Sequence, residues 1–156
     1  MKNVAVYLSL LLMTVGLFGC TRSKENTEVK DEQAVRFSNS TAKKGIVVEG
    51  LKISFSDAEI LSKVETGKNK KDVYVFTVKG ENVSGAVKGL GSIDFQLKTA
   101  DGEVHAVDSS FAVFGDEIKP GEDISGTIAF SVMPNQKVTS VAYTPADKEL
   151  MEWKVE

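Results

Sequence analysis

One cysteine, Cys20, and one histidine, His105, set narrow limits on the nucleophilic and metal chemistry open to this sequence. A lone cysteine cannot close an internal disulfide, and a Cys–His scheme has a single candidate for each role. His105 has no second histidine with which to share a metal, so it reads as a solvent-facing or edge residue. Four carboxylates, Asp116, Glu117, Glu122 and Asp123, flank Pro120-Gly121 and could offer oxygens to a hard cation such as calcium. They lack the regular spacing of a calcium loop, so a solvated acidic turn is the expectation, without a metal. Lys63, Lys68, Lys70 and Lys71 form a basic stretch that could meet anionic wall polymer or lipid headgroups, although Glu65 and Asp72 dilute its charge. Trp153 and Tyr143 could stack on a sugar, but aromatic residues on alternating strands more often pack inside. Ser109-Ser110 has no base nearby in sequence, and there is no G-x-S-x-G, phosphate loop or paired-metal motif. No catalytic residue and no cofactor are expected.

The N-terminus gives Cys20 a different role. Lys2 precedes an apolar run from Val4 to Phe18, which ends in Leu17-Phe18-Gly19-Cys20. A charged start, a run of about 7–15 apolar residues and a small residue before the cut describe a secretory signal. The last four residues look like a bacterial lipobox, with lipid on the Cys20 thiol and cleavage between Gly19 and Cys20. The competing reading is an uncleaved anchor, since 3–21 is free of charge and about 20 residues span a bilayer. Either reading puts the rest of the chain outside the cytoplasm. One thiol-linked chain anchors weakly, and further acyl groups on the same residue make anchoring stable.

Residues 1–19 are therefore expected to be signal, and 20–44 a lipidated cysteine and a flexible tether. The stretch from Thr21 to Lys44 mixes charges of both signs with Ser, Thr and Asn and holds no apolar period. Such a segment would reach about 80 Å fully extended, and roughly 25–30 Å as a coil. The alternative is a short amphipathic helix over 25–37, for which no clean apolar face emerges.

From Gly45 the texture changes to Val, Ile, Phe and Thr with turn residues at short intervals. Leu51, Ile53 and Phe55 alternate with Lys52 and Ser54, and Ala58, Ile60 and Val64 extend this into a second stretch. Residues 63–72 read as a polar loop. Asp72 to Lys79 is apolar on both faces and is expected to be a central strand covered on both sides. Ile93, Phe95 and Leu97 are expected to share one face of the next strand, followed by an Asp101-Gly102 hairpin and a return strand over 103–107. Residues 111–114 are apolar again, and Lys119-Pro120-Gly121-Glu122 predicts a type II turn. Ile124, Gly126, Ile128, Phe130 and Val132 alternate in the clearest strand of the chain, and two more strands follow over 138–143 and 150–155. About seven or eight strands in residues 45–156 describe an all-β chain, an antiparallel sandwich of immunoglobulin-like size.

Several of these residues together resemble a known family. They are Val73 to Val78 running into Asn82 and Ser84, then Phe95 with Leu97, then Asp101-Gly102. Ile118-Lys119-Pro120-Gly121-Glu122 follows, with Ser125-Gly126, Phe130 and Met133-Pro134 closing the set. Over roughly 46–144 the chain resembles the immunoglobulin-like domain of unknown function found in secreted proteins and lipoproteins of Gram-positive bacteria. It departs by an extra residue or two near Gly80-Glu81 and by the glycine-rich stretch 85–91. The resemblance implies an immunoglobulin-like β-sandwich at the cell surface, and implies no catalytic residues.

A net charge of −3, with 26% charged and 42% apolar residues, fits a globular domain and is too mild to suggest nucleic acid as a partner. The expected function is a lipoprotein held on the outer face of the cell membrane through Cys20, its sandwich acting as a non-enzymatic binding or adhesion module. The alternative is an inhibitor or assembly partner of another envelope protein, using an edge strand or loop. A hydrolase comes third, because the site inventory is thin.

Overall fold

The strand that the sequence marks as central does occupy the centre. The computed structural model describes residues 36–38, 40–64, 70–111 and 113–156. The signal segment, Cys20, residues 21–35 and Lys68 lie outside the described residues.

Strand β1 (Ile46–Val48) turns back through Glu49-Gly50 onto β2 (Leu51–Phe55), and β3 (Glu59–Val64) follows after a short break. Strand β4 (Lys70–Asn82) is thirteen residues long. Its second half pairs antiparallel with β2, from Leu51↔Asn82 to Phe55↔Val78, and its first half with β3, from Glu59↔Val75 to Val64↔Lys70. Thus β2 and β3 run end to end along one side of β4. Strand β9 (Asp123–Val132) runs along the other side, from Asp72↔Val132 to Glu81↔Asp123.

A second antiparallel sheet has the order β11-β10-β6-β7, made of β6 (Phe95–Thr99), β7 (Val104–Ala106), β10 (Val138–Tyr143) and β11 (Met151–Lys154). The Asp101-Gly102 hairpin joins β6 to β7 as expected, with Leu97 opposite His105. A bulge between Val138 and Ser140 shifts β10 against β6. Strands β5 (Lys88–Gly91) and β8 (Gly115–Ile118) form a separate two-stranded ribbon.

The two sheets bury one continuous core. Leu51, Ile53, Phe55, Phe76, Val78, Ile128, Phe130 and Val132 come from the first, and Phe95, Leu97, Val141, Tyr143 and Trp153 from the second. Period-2 alternation explains this set, since inward residues recur at every second position of β2, β6 and β9. Phe55 is the hub: its ring lies 4.8 Å from Trp153, 5.1 Å from Phe37 and 5.8 Å from Phe95, centroid to centroid. Trp153 and Tyr143 are therefore core residues, as their positions on alternating strands predict. The fold is an antiparallel β-sandwich.

Four expectations need correction. The flexible tether expected through Lys44 does not hold for its described residues, 36–38 and 40–44. Phe37 is buried, bridges Val155 and stacks its ring against Phe55 and Phe76, while Ala42 anchors a short helix, α1 (Ser40–Lys44). Isolated apolar residues in a polar stretch gave no period to read, yet each fills a gap at the sandwich edge. Next, β4 is covered on one face only. Phe76 and Val78 face the core, whereas on the opposite face only Val73 is buried, Val75 is half-buried and Thr77 is exposed. Third, Ile93 does not share a face with Phe95 and Leu97, because a 3-10 turn over Ser92–Asp94 rotates it outward to 86% exposure. Fourth, the loop expected over 63–72 gives up both its ends to strands, since β3 runs to Val64 and β4 begins at Lys70. The described strands number eleven, because β1, β5 and β8, each three or four residues long, carry too little alternation to be seen in sequence.

Candidate functional site

Two glycines on neighbouring strands shape one end of the sandwich. Gly80 on β4 and Gly126 on β9 lie two register positions apart, in the pairs Gly80↔Ile124 and Val78↔Gly126. A Cβ on Gly80 would come within 2.2 Å of Leu90 Cδ2, and one on Gly126 within 2.1 Å of Phe114 Cγ. The missing side chains leave a notch that receives Leu90 from β5 and Phe114 from the segment before β8, so the ribbon docks on the sandwich through these two residues. Asn82 secures the same junction. It is fully buried, and its Nδ2 donates to the carbonyls of Ala86 and Ile118, each at 2.7 Å. Its Oδ1 accepts from the Ser84 amide at 2.9 Å and the Ser84 hydroxyl at 2.7 Å. The type II turn closes the ribbon onto β9, with Glu122 N–H donating to Lys119 O at 3.0 Å and Gly121 at φ +79°.

Between the ribbon and the 3-10 turn opens a cleft of about 710 Å³. Leu90, Ile93, Val113, Phe114 and Pro145 give it apolar walls, and Asp94 and Asp116 are its charged lining. Ile93 is 86% and Val113 58% exposed. The turn that presents Ile93 is held by hydrogen bonds: Gly91 N–H donates to Asp94 Oδ2 at 2.7 Å, Ser92 N–H to Phe114 O at 2.8 Å, and Thr144 N–H to Asp94 O at 2.7 Å. Sequence reasoning did not find the cleft, because alternation places Ile93 inward; the signal available was the cluster of glycines on either side of it.

Of the residues singled out in sequence, Asp116 and Ser109 line this cleft, and the other described ones lie elsewhere. Among the described residues no three carboxylate, imidazole or thiol groups gather to hold a metal ion. Asp116 and Glu117 sit on β8, while Asp123 on β9 pairs with Lys79 at 2.7 Å and Glu122 approaches Lys119 at 3.9 Å. Backbone register pairs Lys63 of β3 with Lys71 of β4, next to the pair Val64↔Lys70, and Lys70 is exposed. His105 lies on β7, an edge strand, but its Nε2 is buried without a hydrogen-bond partner among the described residues. Ser110 Oγ donates to Asp108 Oδ1 at 2.7 Å, and Ser131 Oγ to Asp108 Oδ2.

Of the titrating groups that the fold displaces, two move furthest. Burial, and then the charges of Asp94 and Glu49, push the Tyr143 phenol up to about 12. The Thr99 hydroxyl, the Gln136 amide and the Glu103 N–H all donate to Asp101 and hold its carboxyl down at about 2. The second arrangement braces the β6–β7 hairpin.

The fold and its exposed cleft define a small β-sandwich of the kind found among bacterial secreted proteins. The chain is similar to the secreted protein MPT63 of Mycobacterium tuberculosis at 25% identity, covering 67% of this chain and 82% of that one with a TM-score of 0.53. It also superposes on YcdA of Bacillus subtilis, a candidate lipoprotein, at 17% identity and a TM-score of 0.56, over 74% of this chain and 39% of that one. The YjhA protein of Bacillus subtilis matches at 13% identity and a TM-score of 0.50, over 67% of this chain and 80% of that one. At the lower identities the likeness is one of fold. No family model matches the chain, and no curated protein matches it in sequence.

Proposed function

We propose that this protein is a lipoprotein anchored through Cys20 on the outer face of the bacterial membrane, its β-sandwich serving as a non-catalytic binding module. The observation that carries the binding part is Ile93, held at 86% exposure on a hydrogen-bonded turn at the mouth of an apolar cleft. Burying such a residue against a partner removes apolar surface from water, which its present position leaves exposed. With Asp94 and Asp116 as its charged lining, the cleft favours an occupant that combines an apolar group with positive charge. Extracytoplasmic placement is supported by the signal-like start of the chain and by the secreted and candidate-lipoprotein neighbours.

Each half has its own test. Mass spectrometry of the mature chain should find acyl groups on Cys20 and lose them in Cys20→Ala; an unlipidated wild-type chain ends the anchoring claim. A photo-crosslinking amino acid at position 93 of the full chain, in intact cells, should capture a partner that the same group at Val47 does not. Val47 is 58% exposed on β1 and serves as the control. A polymer adduct indicates adhesion, and one protein captured at fixed ratio indicates an inhibitor or assembly partner. Equal capture at both positions removes the cleft from the proposal.

A further inference from the structure

A second concavity has the opposite character. It is a polar pocket of about 210 Å³, roughly seven times the ~30 Å³ share of one liquid water. Its walls are Lys43, Lys44, Lys52, Ser54, Lys79 and Glu81. Three elements bring the lysines together. Lys52 and Ser54 alternate with buried Leu51, Ile53 and Phe55 on β2, so they face outward, and Lys79 does the same on β4. Register places Ser54 opposite Lys79 and Lys52 opposite Glu81. Helix α1, seated through buried Ala42, sets Lys43 and Lys44 at the rim.

Four ammonium groups around one small cavity repel one another unless anions lie among them. Three carboxylates partly answer: Asp57 meets Lys43 at 2.5 Å, Glu81 meets Lys52 at 3.5 Å, and Asp123 meets Lys79 at 2.7 Å. Only Glu81 is part of the pocket wall; Asp57 and Asp123 pair from outside it. Lys44 has no carboxylate within ion-pair distance among the described residues. These are exposed pairs, which contribute little and exchange readily for a stronger anion.

We infer that Lys43, Lys44, Lys52 and Lys79, with the Ser54 hydroxyl, form a binding pocket for the phosphate group of a phosphodiester polyanion. Lysine ammoniums act as point charges from separate directions, which suits a tetrahedral phosphate; a planar carboxylate is better matched by the fork of an arginine. This is a different lysine set from the 63–71 stretch that the sequence suggests for anionic polymer. The inference takes the cell-surface reading as its setting, and is independent of the apolar cleft.

The test uses the full chain in neutral detergent, titrated into fluorescent poly(glycerol phosphate) at low salt. Saturable binding is expected, weakening about tenfold or more when salt is raised well above physiological strength. Lys44→Gln removes no ion pair; it should weaken binding about threefold with unchanged thermal melting. K44Q/K52Q/K79Q should weaken it about tenfold or more, and K70Q/K71Q should leave it within about twofold. Competition by glycerophosphoglycerol, the headgroup of phosphatidylglycerol, separates the sources. Competition at equal phosphate concentration means that a lipid headgroup satisfies the pocket; competition only in large excess means that the polymer is the ligand. Absence of saturable binding to either probe overturns the inference, as does an effect of K70Q/K71Q equal to that of the triple variant. Neither result bears on Cys20 lipidation or on crosslinking from position 93.

Discussion

The centre of the sandwich and its β5–β8 end use apolar residues in opposite ways. Around Phe55, rings from both sheets and from Phe37 close on one another, and Phe76, Phe95, Phe130 and Trp153 are all nearly or fully buried. At the ribbon end, only Leu90 and Ile118 among the described apolar residues are buried to that degree, while Ile93 and Val113 project into water. What fixes the centre is side-chain packing, which is dense and indifferent to direction. What fixes the ribbon is a buried amide, Asn82, and two glycine notches, which specify position without covering much surface. A frame of the first kind can carry a display of the second kind, because the two draw on different residues.

The sharpest way to break this contrast is at the centre. Phe76 is fully buried and its ring lies 5.6 Å from Phe37, 6.5 Å from Phe55 and 6.2 Å from Phe130. Phe76→Ala should cost about 3–5 kcal/mol in denaturant titration, from lost transfer energy and the cavity left behind. A loss below about 1 kcal/mol would mean that the ring cluster is not the keystone. Asn82→Ala comes next, at about 1–3 kcal/mol, because it orphans the carbonyl of Ile118 in a buried site and leaves that of Ala86 only the Ser84 hydroxyl. Its distinguishing mark is local: hydrogen exchange should accelerate in β5 and β8 before β4 and β10 respond. Uniform acceleration would show that ribbon and sandwich open together.

The same contrast explains what the sequence discloses. Alternation in β2, β6 and β9 reflects burial on one side of a pleated strand, so Leu51, Phe95 and Phe130 could be placed by counting. The Asp101-Gly102 hairpin and the Lys119–Glu122 turn were legible because each needs a backbone conformation that few residues adopt. Ile93 was misplaced because three residues of 3-10 turn break the count, and nothing within the strand pattern announces that. Phe37 and Ala42 were missed because their partners, Phe55 and Val155 among them, are distant in the chain. Asn82 reads in sequence as an ordinary turn residue; its importance lies in the carbonyl of Ile118, thirty-six residues further on. The lysines of the polar pocket come from three elements and have no common spacing at all.

Between the two regions lies Tyr143, packed against Phe95 at 5.4 Å and sensing Asp94 beside the cleft. Its phenol is pushed up to about 12, against 10.0 for the free group. A raised folded value means that the stability from keeping this group neutral is fully present below pH 10. It is lost as pH climbs through 10 towards 12, since only the unfolded chain ionises easily there. Relative to Tyr143→Phe, the wild type should therefore lose about 1–2 kcal/mol between those limits. Parallel denaturation curves at both ends of the window decide it; an advantage that grows with pH would reverse the sign and reassign the group.

The smallest effect on stability belongs to the residue with the largest expected effect on function. Ile93 leaves nothing buried behind it, so Ile93→Ser should change unfolding free energy by no more than about 0.5 kcal/mol. The turn beneath it survives, because its hydrogen bonds run through the backbone and Asp94. Binding to isolated envelopes should nonetheless fall by about fivefold or more, the worth of roughly 1 kcal/mol of apolar contact. The pair of numbers matters more than either alone. A large stability loss would make Ile93 part of the frame, and undiminished binding would make the cleft a bystander. Only a stable protein that no longer binds separates the display from the scaffold that holds it.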